Sequence, residues 1–213
     1  GLGKTLDEYA GNVQIITAEQ IEEQHAVDTA ELLFRNIGSI DINSAQNNPF
    51  QNDVHYRGFL ASPLVGSSIG LSTYVDGVRV NEGFGDTVNW DLIPSFSLNS
   101  LVVIPGSNPL FGLNTLGGAL SLKTKSGLTY QGSNLEVSVG SDDRRQTTFE
   151  HGGNQDNLHW YVGGTQFKED GWRVNSPSDV KQFFGKLGWT SDTSNFDVSY
   201  TQADTDLIGN GFV

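Results

Sequence analysis

IPGSNPLFGLNTLGGALSLKTKSG, residues 104–127, crowds a Pro-Gly, an Asn-Pro, a Phe-Gly and a Gly-Gly ahead of one apolar strand. A globular core rarely needs so many glycines together. A chain threaded through a confined space does, because glycine permits close backbone approach and positive φ. The strand it leads into, Ala119-Leu120-Ser121-Leu122, runs on into Lys123-Thr124-Lys125. The texture of the chain changes there. Residues 1–126 mix short helices, short strands and polar loops, whereas residues 127–213 alternate strands with tight turns, so two domains with those bounds are expected.

Before the glycine-rich stretch, Val13-Gln14-Ile15-Ile16 reads as a strand and Thr17-Ala18-Glu19-Gln20 as a helix-opening capping box. Asp28-Thr29-Ala30-Glu31 repeats that logic. Ala30, Leu33, Phe34 and Ile37 fall on one helical face, and Gly38 is the expected stop. Short strands follow at Ile40–Ile42, Val54–Phe59, Thr73–Val78 and Leu101–Ile104, with Asp76-Gly77 as a hairpin turn rather than a site.

After it, Leu135, Val137 and Val139 alternate with polar residues, as do Phe183, Leu187 and Trp189, and Phe196, Val198 and Tyr200. Two further strands, near Gln146–Glu150 and Leu158–Phe167, alternate less cleanly. Alternation makes one face apolar, and that face meets either a dry core or lipid. Soluble antiparallel sheets are the commoner, so the pattern alone favours a core. Trp160, Trp172, Trp189, Tyr161 and Tyr200 pull the other way, like the aromatic girdles of membrane barrels. Five strands are too few to close a barrel, which takes about eight.

The chain holds 12 basic and 25 acidic residues, a formal net charge of −13, and no cysteine. That balance argues against nucleic acid as a partner, because phosphate binding needs a basic face. Without cysteine there is no disulfide scaffold and no thiolate site. No apolar run is long enough for a membrane helix. His25, His55, His151 and His159 lack metal-ligand spacing, and no serine sits in a nucleophile elbow, so neither a catalytic site, a metal site nor a cofactor is expected. The acidic turns at Asp142-Asp143 and Asp204–Asp206 lack a full calcium ligand set.

Three pieces, in order, resemble the plug domain of TonB-dependent outer-membrane receptors. Val54-His55-Tyr56-Arg57-Gly58-Phe59 is similar to the family's "IRGF" strand, and Tyr74-Val75-Asp76-Gly77-Val78 to its "YVDGV" strand. Pro109-Leu110-Phe111-Gly112 through Gly117-Gly118-Ala119 to Lys125 is similar to "LYG…GGxINIxTK". The resemblance covers about residues 10–126, and the strands after 127 look like the first hairpins of the barrel. It implies an α+β plug domain followed by antiparallel strands of a transmembrane β-barrel incomplete in this chain, within a protein of several hundred residues. One departure stands out. The family often carries an Arg-Gly-Pro, preceded by Glu, ahead of the "LYG" stretch, whereas Val102-Val103-Ile104-Pro105-Gly106 has neither charge.

What the resemblance implies for function is an energy-coupled receptor in the outer membrane of a Gram-negative bacterium. It would bind a scarce nutrient (a metal chelate, cofactor or glycan), contact lipid, and engage TonB through a segment upstream of Gly1. Plug loops near 44–52, 60–68 and 81–90 would face the ligand, with Asn48, Phe50, Gln51, Ser62, Glu82, Phe84 and Asp86 as contacts. Phe50 and Phe84 would supply apolar area, and the amides and carboxylates would orient polar groups. Arg57 would be a buried plug-to-barrel contact, pairing with barrel carboxylates. The rival from another class is a soluble or surface β-rich glycan-binding or adhesin module, with aromatics stacking on sugars.

Overall fold

The capping box forms as its residues dictate. In the computed structural model, which describes residues 13–44, 48–107, 112, 114–171 and 176–208, β1 (Gln14–Ile16) leads into α1 (Ala18–Gln24). The Gln20 N–H donates to Thr17 Oγ1 at 3.4 Å, and the Thr17 N–H donates to the Gln20 side chain at 3.0 Å. Asp28 caps α2 (Thr29–Asn36), accepting from the Glu31 N–H at 2.7 Å. Asp28 is buried, and loss of hydration pushes its carboxyl up to about 7, against the opposing pull of that cap bond.

Two details of α2 differ from expectation. Ala30, Leu33 and Ile37 are buried, but Phe34 is 47% exposed and Leu32 takes the core position instead. The buried stripe centres on Leu33, with Leu32 and Phe34 on opposite edges, and packing chooses the edge. The helix stops at Asn36, capped by Ile37, whose N–H donates to the Leu33 carbonyl at 3.0 Å. Gly38 lies beyond the cap and adopts no positive φ.

The described chain gathers into two compact units. The first runs through Ser44 and adds Gln51–Trp90 and Leu98–Thr124. It holds a three-stranded antiparallel sheet of β2 (Ile40–Asn43), β3 (Asp53–Tyr56) and β4 (Phe59–Ala61). Its second sheet has the order β1-β7-β8-β5-β6, built from β5 (Leu71–Val75), β6 (Val78–Arg79), β7 (Leu98–Pro105) and β8 (Gly118–Thr124). β5 and β8 run parallel, and the other neighbours antiparallel. Ile16, Leu33, Val54, Tyr56, Leu71, Leu101, Leu120 and Leu122 are all buried.

The glycine pair of the opening stretch has a local cause. A Cβ at Gly117 would lie 2.6 Å from the Phe59 ring, and one at Gly118, where φ is 139°, would run into the Ile104 carbonyl. Strand and ring approach too closely for any side chain. Pro109, Leu110 and Phe111 of the same motif lie outside the described residues, as does Trp172. Asp76-Gly77 forms the β5–β6 turn, with both φ values positive at 49° and 86°. It does more than turn: the Asp76 carboxylate accepts from the Thr124 N–H at 3.0 Å and the Thr124 hydroxyl at 2.6 Å.

The second unit joins Asp91–Ser97 and the segment ending at Phe50 to the chain from Lys125 onward. Its strands are β9 (Gly132–Val139), β10 (Arg145–Gln155), β11 (Leu158–Glu169), β12 (Ser178–Thr190) and β13 (Asn195–Leu207). They form one antiparallel meander that is open among the described residues, with β9 and β13 at its edges. β10 to β13 have 11 to 13 residues each, enough to cross a bilayer at a tilt.

One face of this sheet is apolar and open. Leu135, Val137, Val139, Phe149, Leu187, Val198 and Tyr200 are all exposed. The dry core that the alternation alone favoured is therefore absent from that face. The other face buries Thr148, Glu150, Tyr161, Thr165, Phe167 and Gln182. The Phe50 and Phe167 rings meet edge to face at 5.1 Å, the Tyr161 hydroxyl donates to the Phe96 carbonyl at 3.0 Å, and the Gln182 amide donates to the Asp91 carbonyl at 2.5 Å. Tyr161 and Phe167 put large rings on the polar face, which explains why β11 alternates poorly.

At the head of the unit, Lys125 Nζ lies 2.6 Å from Glu150 Oε2 and 4.6 Å from the Tyr130 ring centroid. The Tyr161 hydroxyl lies 2.9 Å from the same Glu150 oxygen, so its one proton is shared between Glu150 and the Phe96 carbonyl, and the Lys125 N–H donates to the Ser97 carbonyl at 2.7 Å. The pair is almost fully buried, so each charge depends on the other.

Candidate functional site

In the first unit, the turns after β4, β6 and before β8 come together at one end. The Val88 N–H donates to the Ser62 carbonyl at 2.9 Å, and the Gly117 N–H donates to the Gly70 carbonyl at 2.9 Å. Asn81 acts as a hub: its Oδ1 accepts from the Thr73 N–H at 2.7 Å, and its Nδ2 donates to the Leu71 and Asp86 carbonyls at 3.1 Å each. The Asp86 carboxylate is shared between two loops. Arg79 donates to Oδ1 at 2.7 Å, and Asn114 Nδ2 donates to Oδ2 at 2.8 Å. Asp86 and Asn114 both hold φ of 55°, a left-handed conformation that Asp and Asn tolerate better than most residues.

The structure therefore brings Ser62, Glu82, Phe84 and Asp86 into one loop cluster. Ser62 is buried, donates to the Asp53 carboxylate and accepts from the Leu64 N–H at 2.9 Å. Glu82 is exposed and accepts from Asn89 Nδ2 at 2.5 Å. Phe84 is 78% exposed, and Val65 and Leu116 in the neighbouring turns are also open. Val65 lies against the backbone of Gly85, where a Cβ would be 3.2 Å from its methyl. Asp86 is part-buried, and with both oxygens engaged it ties the loops together.

The other expected residues lie elsewhere. Asn48 and Phe50 are buried in the second unit, where Asn48 Oδ1 accepts from the Phe50 N–H at 2.9 Å. Asn48 Nδ2 is buried with no hydrogen-bond partner among the described residues. Gln51 is half-buried. Arg57 is exposed, in a left-handed turn with φ of 51°, and its guanidinium carbon lies 5.1 Å from the Tyr56 ring centroid. Arg79, Asn81 and Asn114 were not picked out in the sequence. Asn-Glu-Gly at 81–83 reads only as a turn, and nothing local announces a partner for Asp86 that is 28 residues away.

Among the described residues no group of three or more His, Asp or Glu side chains is placed to hold a metal ion. Nor is any helix among them long and apolar enough to cross a membrane, a statement that does not touch strands.

Comparison with known proteins agrees with this architecture. The TonB-dependent Receptor Plug Domain profile matches residues 5–119, more than half of the chain. The vitamin B12 transporter BtuB of Vibrio vulnificus (strain CMCP6) is 25% identical over 202 residues, covering 94% of this chain and 31% of the transporter. The ferric aerobactin receptor of Klebsiella pneumoniae is 28% identical over 126 residues, 58% of this chain and 16% of the receptor. The chain thus spans less than a third of the length of these curated relatives. Among solved structures, Pseudomonas aeruginosa FpvA bound to pyoverdine superposes with a TM-score of 0.75 at 14% identity, covering 94% of this chain and 26% of that one. That likeness is one of fold, and it extends through the plug into the antiparallel strands. The relatives are transporters and receptors. On these grounds the chain belongs to the TonB-dependent receptors, as a plug domain followed by antiparallel strands of the barrel type.

Proposed function

We propose that this chain is part of an energy-coupled importer in the outer membrane of a Gram-negative bacterium. The observation that carries the reading is the open apolar face of β9–β13, opposite a polar face packed on the chain's own segments. Lipid is the surrounding that makes such a face stable. The nutrient would be a metal chelate, a cofactor or a glycan. It would contact the loop cluster through Phe84 and Glu82, with Ser62 and Asp86 holding the loops in place. Gln51 would contribute from the segment before β3, and Arg57 would meet carboxylates of barrel strands. TonB would engage a segment upstream of Gly1, and its pull would remodel the plug to open a path. Binding and movement suffice as the mechanism, with no covalent step. The test is permeability: a full-length receptor lacking residues 1–126 should leak small hydrophilic solutes across the outer membrane. Unchanged permeability on deletion would overturn the plug reading.

A further inference from the structure

The loops assigned above to the nutrient contain no lysine or arginine over residues 44–52, 60–68 and 81–90, nor over 112–117. Among the described residues, the guanidinium of Arg79 reaches the cluster, where it is 2.7 Å from Asp86 Oδ1 and is matched by it. Glu82, two residues before Phe84, stands exposed, and its carboxylate accepts from the neutral amide of Asn89. In the turns of the cluster Phe84, Val65 and Leu116 are open, exposed by 78%, 61% and 64%. Among the described residues this surface therefore offers apolar area and negative charge.

A ligand rich in carboxylates or other anionic oxygens needs forked guanidinium or ammonium donors. Against Glu82 each anionic group at contact distance would instead be disfavoured about fivefold in water-like surroundings, and more as the site dries. We propose that the cluster takes a ligand without net negative charge, one that lays an apolar face on Phe84 and presents N–H or O–H donors to Glu82. The proposal rests on the assignment of these loops to the nutrient. It narrows the nutrient to uncharged or cationic compounds.

The test reads the local potential and does not depend on knowing the ligand. Phe84→Cys is made in the full-length receptor, with any cysteine outside these 213 residues replaced, since these contain none. The thiol is reacted with two methanethiosulfonates, one bearing a trimethylammonium group and one a sulfonate. Their rate ratio is compared with that for free cysteine. The cationic reagent should be favoured at least about threefold beyond the free-thiol ratio. Adding Glu82→Lys should return the ratio to the free-thiol value or below. A ratio favouring the sulfonate, a ratio indifferent to Glu82→Lys, or no reaction with either reagent would each overturn the proposal. Permeability of the plug deletion is read separately. A leaky deletion with a reversed ratio leaves import standing and removes only the charge preference, whereas a tight deletion removes the import reading whatever the ratio.

Discussion

Asp28 sits almost fully buried at the head of α2, accepting from the Glu31 N–H and from Asn52 Nδ2 at 3.2 Å. Its carboxyl titrates near 7 in the fold, against about 3.9 in an unfolded chain. Between those values the folded state holds the extra proton, so stability falls as pH rises from about 4 to about 7. Below that window both states are protonated and the burden is absent; above it the full cost of the buried charge remains, on the order of 4 kcal/mol. Asp28→Asn keeps an acceptor for the cap and carries no charge. Hydrogen-exchange protection of the α2 amides, corrected for intrinsic rates, should decline across pH 4–7 in the native protein and stay level in this variant. An equal decline in both would mean that the charge at Asp28 is not its cause. Asp86 makes a second case. Asp86→Ala removes the carboxylate that Arg79 and Asn114 share and should cost about 1–3 kcal/mol, felt as faster exchange in residues 82–89 and 112–117 with α2 untouched. The resemblance marks Glu82, Phe84 and Asp86 as ligand contacts. It does not mark the clamp, whose members lie 7 and 28 positions from Asp86 and meet only through the fold.

The strands after residue 131 were readable because a period of two survives in β9, β12 and β13. What alternation encodes is that the two faces differ; the medium outside the apolar face is not written in it. That is why the pattern favoured a dry core and the structure leaves Leu135, Val137 and Val139 open. β11 was harder to read because Tyr161 and Phe167 serve contacts with Phe96 and Phe50, distant in sequence. The stop of α2 at Asn36 was missed for a related reason: the cap is made by the Ile37 N–H, and any residue but proline supplies one. In a barrel reading, charge on the outward face is costly and charge on the inward face is tolerated. Leu135→Lys should lower the stability of the receptor in lipid bilayers by about 2–4 kcal/mol, whereas Ser138→Lys, of opposite parity on β9, should change it by less than about 1 kcal/mol. Urea unfolding in bilayers measures both, and equal costs would count against a lipid-facing β9.

Thr124 and Lys125 are neighbours in the chain and are tied within different units. Asp76 holds Thr124 by two bonds in the first unit, and Glu150, Tyr130 and Ser97 hold Lys125 in the second. The chain thus passes from one unit to the other between two anchored residues. Lys125→Met strands the Glu150 carboxylate in a dry site and should cost about 3–5 kcal/mol, whereas Lys125→Met with Glu150→Gln should recover most of that loss. Denaturation of the full-length receptor compares them, and a double variant as weak as the single one would mean that packing, not charge, sets the anchor. The resemblance in motifs identified the plug fold and the antiparallel strands that follow it. It did not announce that Asp91–Ser97 packs with the strands, because that segment carries no period and its bonds run through backbone carbonyls.

The central claim, that β9–β13 face lipid, is tested most directly by spin labels on β12. A nitroxide at Leu187, on the open apolar face, and one at Lys186, on the other, are compared in the receptor reconstituted in bilayers. The account predicts that the label at 187 collides with dissolved oxygen and is shielded from a water-soluble nickel chelate, with the reverse preference at 186. A label at 187 as open to the nickel chelate as one in free solution would contradict it.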